Sequence, residues 1–355
     1  MNSQVMSISD NLWVQSLHKL RHDIYHLPEY VYIESKRTRS IPEAILITED
    51  DKTFFLPYLV RSCEDLFEGL ATLEIFDIVS PYGYPGILLN EAAASSPKFI
   101  NLAIEQLKST LSAKNVCSGF LRLHPILNHG LNKVLPPNVY QVLGDTVSVN
   151  LELSDAKIWQ QTRRNHRMNI NLCKRAGMVA KMVPFAQYID EFVEIYEETM
   201  NRVGAKNAYY FDYDYYLHLS RLDKLIHLCI VEWENQIICA SLITECCGII
   251  QCHLSGTRNK FLKQAPNKFM LDYVRYWGKE RGNKVLHLGG GVGSAKDSLY
   301  EFKAGFSKQS HSFITLSLVI DEKQYRYLVN LRAKGLSLLA EDLLQSNFFP
   351  AYRYL

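Results

Sequence analysis

The sequence predicts an α/β protein made of two successive units of one design. Two observations carry this: period-2 apolar alternation gives way repeatedly to apolar residues at period 3.6, and the order hairpin, strand, helix, strand occurs twice. The join falls near residues 150–160, which divides the chain into 1–153 and 154–355, with the last helix able to pack back on the first unit. At 355 residues, 47% apolar and 21% charged, there is enough material to bury two cores.

In the first unit, residues 44–61 (AILITEDDKTFFLPYLVR) read as two strands around a Glu-Asp-Asp-Lys turn. Residues 73–89 read as a strand broken by the loop SPYGYPG (80–86). Phe99, Ile100, Ala103, Ile104, Leu107 and Leu111 stand at helical spacing and predict a helix over 97–113. Strands follow at 119–126 and 145–153. In the second unit, 226–257 supplies three strands with turns at Glu234-Asn235 and Gly248. A helix opens at Pro266, where a missing N–H costs no intrahelical bond, and runs to about Arg281. The strand KVLHLG, a helix carrying Phe302-Lys303 and a strand over 312–320 complete the repeat. Between the units lies a basic helical stretch, 163–175, closed by Gly177, and then an amphipathic helix over 185–203. After it, tyrosine and phenylalanine fill six of the eight positions from Tyr209 to Tyr216.

A formal charge of +2 excludes a general nucleic-acid coat, so any basic surface must be local. No basic segment precedes an apolar run at the N-terminus, and nowhere do 18 apolar residues follow one another. The eight cysteines form no C-x-x-C pair, and five fall within 229–252; they read as buried thiols, not as a metal site. The expectation is a cytoplasmic protein without metal and without integral membrane contact.

The stretch LHLGGGVGSAKDSLYEFKAGF (286–306) carries the chemistry. A P-loop would need a lysine that Gly289–Ser294 lacks, and a dinucleotide fingerprint fails at its third glycine. Taken alone, these glycines are a tight strand exit. The residues after them form a more specific pattern. Leu288-Gly289-Gly290, a short loop, and Asp297-Ser298-Leu299-Tyr300-Glu301-Phe302-Lys303-Ala304-Gly305-Phe306 resemble the LGG…DSLYxFKxxF pattern of the Fem family of non-ribosomal peptidyl transferases. The resemblance covers roughly residues 155–320, and APNKFMLDYVRYWGKERG (265–282) agrees with it. SPYGYPG, with Tyr82 and Tyr84, looks like a recurrent element of the wider group.

The resemblance implies two tandem GNAT-like domains, each a mixed sheet flanked by helices, with the active site in the second. It also implies an acyltransferase that forms an amide between an aminoacyl group, carried by aminoacyl-tRNA, and an amine of a peptide or peptidoglycan-precursor-like acceptor. No cofactor is then needed beyond the donor, and no nucleophilic serine is expected; none of the G-x-S-x-G type is present. Lys303 would either stabilise the oxyanion on the ester carbonyl or hold the donor's phosphate end, with Phe302 as its positioning neighbour. His253, His287 or water would take the proton of the attacking amine. Tyr300, Asp297, Tyr82, Tyr84, Asn267 and Tyr210 are the candidate substrate contacts. Arg163, Arg164, Arg167, Lys174 and Arg175 are the candidate tRNA contacts, although such a cluster is by default a solvated helix face. The acyl-CoA alternative would act on an amino sugar, amino acid or peptide. The run 256–266 lacks the paired glycines that such enzymes place before a pyrophosphate-binding helix. A protein that keeps the fold and only binds RNA is the remaining rival.

Overall fold

The computed structural model describes residues 1–67, 74–346 and 348–354. Along the first half of the chain run β1 (Asn2–Ser7), α1 (Asn11–His18), α2 (Pro28–Thr38), β2 (Ile41–Glu49), β3 (Lys52–Ser62), β4 (Phe76–Val79), β5 (Leu88–Leu89), α3 (Glu91–Ala94), α4 (Pro97–Ser112), β6 (Val116–Arg122) and β7 (Tyr140–Asn150). There follow α5 (Asp155–Gln161), α6 (Arg164–Arg175), β8 (Val179–Val183), α7 (Ile189–Val203), α8 (Tyr213–Ser220), β9 (Ile226–Trp233), β10 (Gln236–Cys246) and β11 (Ile249–Thr257). Then come α9 (Pro266–Glu280), β12 (Val285–Gly289), α10 (Ser298–Ala304), β13 (Gln309–Val319), α11 (Glu322–Leu336) and α12 (Ala340–Gln345). The expected start of the 73–89 strand, Leu73, lies outside the described residues.

The chain forms two compact units, Met1–Leu143 with Ser312–Leu355, and Gly144–His311. In the first, the strand order is β1-β2-β3-β4-β6-β13, with β5 against β3. Among the described residues of this unit only β4 and β6 pair in parallel, and α4 makes the crossover between them. The six apolar residues expected on α4 are all buried against Ile45, Ile47, Phe54, Leu56 and Leu121. In the second unit the order is β7-β12-β11-β10-β9-β8, β11 and β12 are the parallel pair, and α9 is the crossover. Its core joins Val274, Met270 and Phe269 of α9 to Leu286, Leu288, Val147 and Val149.

These units differ from the expected boundaries of 1–153 and 154–355. Each sheet is completed by a strand from the far side of the sequence join: β7, which follows β6, pairs with β12, and β13, which follows β12, pairs with β6. Residues 312–355 therefore group with the first unit, where Tyr325, Leu328 and Tyr352 are buried with Cys63 and Cys117. The expected turns hold. Glu234-Asn235 and Cys247-Gly248 both have two successive positive φ angles (50° and 59°, 45° and 77°), the geometry that joins right-twisted strands in two residues. Cys247 is for that reason exposed, whereas six of the eight thiols are buried as expected and Cys252 is half-buried. Among the described residues no helix is long and apolar enough to cross a membrane.

Candidate active site

A gap between the parallel strands of the second unit defines the site. β11 and β12 pair over three residues only, Ile249–Gln251 with Val285–His287. Both strands bulge where the pairing stops. On β11, Leu254 faces Leu242 while Cys252 faces Ile243, leaving His253 as the extra residue. On β12, His287 faces Ser148 while Gly289 faces Val147, leaving Leu288 extra. A bulge increases local twist and bends its strand, so two at one level turn the strands away from each other. The first unit's parallel pair behaves differently. Beyond Val79 its own SPYGYPG loop stays on β6: Ser80 N donates to Phe120 O (3.1 Å), Arg122 N to Ser80 Oγ (2.8 Å) and Gly86 N to Arg122 O (3.0 Å).

The glycine run is a strand exit folded around Asp297. Gly289 has φ +77°, and a Cβ on Gly291 would come within 2.1 Å of Ala295 O and 2.3 Å of Asp297 Oδ1. Asp297 caps α10 through Tyr300 N (2.8 Å) and accepts from Val292 N (3.0 Å). Burial works against ionising this carboxyl, but the amides of Tyr300, Val292 and Leu299 outweigh it and hold its pKa below the ordinary value.

Lys303, on α10, is half-buried and donates from Nζ to Gly290 O at 2.5 Å. Desolvation lowers its pKa to about 8, against the opposing pull of Cys252 and Asp297. The Cys252 thiol of β11 is in turn pushed up to about 12 by burial, with Lys303 acting the other way. The lysine therefore sits beside the open end of the gap, as a cation whose hold on its proton is weakened by burial. His253 Nε2 lies 3.2 Å from Tyr215 OH, and buried His287 has Nδ1 2.5 Å from Gln251 Oε1. Both histidines thus stand on the two strands that form the gap.

Phe302 is half-buried, its ring 5.5 Å from the His166 ring and 5.7 Å from Phe306. Its carbonyl lies 2.9 Å from His166 Nε2. The sequence groups His166 with the basic stretch and gives no sign of contact with α10. Nothing in its spacing reveals that contact, because the two residues lie 136 positions apart. Cys252 likewise reads from the sequence only as a core thiol.

No family model and no curated protein matches the sequence, so the comparison rests on solved structures. FemX superposes with a TM-score of 0.66 over 91% of this chain and 99% of its own, at 12% identity. The L-PGS of Bacillus licheniformis gives 0.53 over 86% and 91% at 14% identity. The C-terminal domain of a putative lysylphosphatidylglycerol synthetase from Agrobacterium fabrum gives 0.52 over 82% and 86% at 12% identity. The chain has a FemX-like fold.

Within this Fem-like fold the remaining candidates fall into separate places. Tyr300, half-buried on α10, lies under Lys296 at 5.8 Å, which pairs with Asp145 at 2.9 Å. Asn267 lies half-buried in the first turn of α9, next to Lys268, whose Nζ bonds Asn169 of α6 at 2.9 Å. Tyr210 is 37% exposed and bonds Asn201 Oδ1 at 2.8 Å. Tyr82 and Tyr84 belong to the first unit: the Tyr82 amide donates to Glu34 Oε2 (3.1 Å), and Tyr84 packs edge-on against Phe313 at 5.2 Å.

The basic stretch divides in two. Arg163 is committed to α10, pairing with Glu301 Oε2 at 2.8 Å and donating to Glu301 O at 3.1 Å. Lys174 pairs with buried Asp272 at 3.1 Å and lies 5.7 Å over Trp159. Among the described residues, Arg164, Arg167 and Arg175 have no ion-pair partner, and Arg164 and Arg175 are exposed.

Proposed function

We propose that the chain is an aminoacyltransferase that moves an aminoacyl group from aminoacyl-tRNA to an amine of a peptide or cell-wall-precursor-like acceptor. The observation that supports this best is the desolvated Lys303 ammonium on the Asp297–Phe306 segment, set beside an open gap between parallel strands. The acceptor amine, as free base, attacks the ester carbonyl. The oxyanion so formed meets the Lys303 ammonium in a desolvated place, where a fixed charge stabilises more than it does in water. Collapse expels the ribose oxygen, which takes up the proton the amine loses, either directly or through His253, His287 or water. Alternatively, Lys303 holds a donor phosphate, and positioning alone carries the rate.

Exposed Arg164 and Arg175, with Arg167, suit the tRNA backbone because their charge is not spent inside the protein. Such a donor implies a cytoplasmic enzyme. The acceptor is set by the site and not by the fold, since FemX and a lysylphosphatidylglycerol synthetase share that fold. Acyl-CoA fits the first turn of α9 poorly: Pro266 offers no amide, and the Lys268 amide is already bonded to Ala265 O at 3.1 Å.

The test supplies purified protein with labelled aminoacyl-tRNAs or labelled acyl-CoAs and a mixture of amine acceptors. RNase-sensitive transfer that Lys303→Ala abolishes supports the proposal. Transfer from acyl-CoA that ignores RNase replaces it with an N-acyltransferase.

A further inference from the structure

We propose that His166 is a positioning residue for Lys303, holding α10 through the Phe302 carbonyl so that the ammonium meets Gly290 at the open end of the β11–β12 gap. The functional part of this rests on the aminoacyl-transfer reading; the structural part does not.

The α6–α10 contact is built on every side. The hydrogen bond from His166 Nε2 to Phe302 O is 2.9 Å, and the imidazole packs on Phe302 at 5.5 Å and edge-on against Phe306 at 4.9 Å. Nδ1 lies 2.9 Å from Asn165 Oδ1; with the proton on Nε2, a half-turn of that side-chain amide brings its NH2 to donate to Nδ1. Gly305 leaves room for the ring, because a Cβ there would come within 2.3 Å of Nε2. Arg163 closes the same contact, its amide donating to Gly305 O at 2.8 Å and its guanidinium pairing with Glu301. From below, buried Arg275 lies 5.9 Å over the Phe306 ring and bonds Thr162 Oγ1 at 2.7 Å.

α10 has only seven residues, too short to hold itself in place, so its position comes from these contacts. Lys303 and Phe302 are neighbours on it, and a shift that frees the Phe302 carbonyl moves the ammonium as well. Burial lowers the His166 pKa to about 4; the Phe302 bond opposes this, while Lys268, Arg163 and Arg275 add to it. His166 is therefore neutral at physiological pH, and its own titration does not enter. The groups facing Lys303 are the Cys252 thiol from β11 and the Asp297 carboxylate ahead of α10.

The experiment reads Lys303 directly. Competitive labelling with a trace amine reagent over a pH series, scored by mass spectrometry, gives its titration without any turnover. In the native protein Lys303 should titrate near about 8. In His166→Phe, which keeps a ring and loses the donor, the midpoint should move up by a unit or more toward ordinary lysine, and kcat should fall roughly tenfold or more. His166→Gln, whose amide nitrogen replaces Nε2, should keep both values. Gly305→Ala, which pushes the ring away, should reproduce His166→Phe and serves if that variant does not fold. Folded His166→Phe or Gly305→Ala with native titration and native kcat overturns the proposal, as does an equal loss in His166→Gln. A shifted titration in a protein that transfers nothing leaves the positioning role standing and refutes the transfer reading alone.

Discussion

At Lys303 stability and the proposed chemistry oppose each other. Its folded pKa of about 8 lies below the ordinary lysine value of ~10.4, so between those values the unfolded chain binds more protons and stability rises with pH. Below about 8 the full cost of burying the charge is present. Lys303→Met should therefore melt higher than the native protein at neutral pH while transferring nothing; differential scanning calorimetry and a transfer assay on the same preparation check both halves. The pH–rate profile depends on the same group. If the ammonium is the active form, the rate should fall as pH rises through about 8, and a rate still climbing above that pH would show that a neutral Lys303 suffices. The segment Asp297–Phe306 was legible through its resemblance to the Fem pattern, and Asp297 does cap the helix that follows. His166 was not, because a ring that meets α10 only through the tertiary fold leaves no periodic trace.

At the scale of elements, two segments depend on single side chains. The loop from Gly289 to Asp297 has no room for a Cβ at Gly291, and the atoms it would meet include backbone. Gly291→Ala should displace this loop, cutting transfer at least as far as His166→Phe does while leaving far-UV circular dichroism unchanged. The C-terminal segment of the first unit is tied by Asp77, a fully buried carboxylate that accepts from Arg61 Nε (2.8 Å), Arg353 Nε (2.5 Å) and Tyr352 OH (3.1 Å). Asp77→Ala leaves two guanidinium groups without their partner and should cost ~3 kcal/mol in denaturant unfolding, less than a fully buried pair because both arginines keep some water. Hairpins and the α4 and α9 crossovers were readable from turn chemistry and helical spacing. β1, α1 and α2 were not expected, and β8 is a short edge strand whose alternation is too brief to stand out.

For the molecule as a whole, sequence order identified a doubled α/β design but not which sheet each last strand completes. β7 alternates over its second half and β13 carries Phe313-Ile314 side by side, yet neither pattern says what its strand pairs with. The division into 1–153 and 154–355 followed sequence proximity, and long-range pairing decided otherwise. Charge is also settled at this scale. With a net of +2, the proposed tRNA donor would be held by Arg164, Arg167 and Arg175, which have no ion-pair partner among the described residues. Arg164→Glu with Arg175→Glu should weaken tRNA binding and flatten its salt dependence by roughly one to two units of slope, with kcat at saturating donor retained; filter binding over a salt series measures it. An unchanged slope would move the RNA elsewhere. The most direct measurement is single-turnover transfer of a labelled amino acid from aminoacyl-tRNA by the native protein and by Lys303→Ala. RNA-dependent transfer that drops roughly 100- to 1,000-fold in the variant, with donor affinity little changed, is the predicted result. A variant rate within a fewfold of the native rate would contradict the assignment of Lys303 as the electrostatic centre of the site.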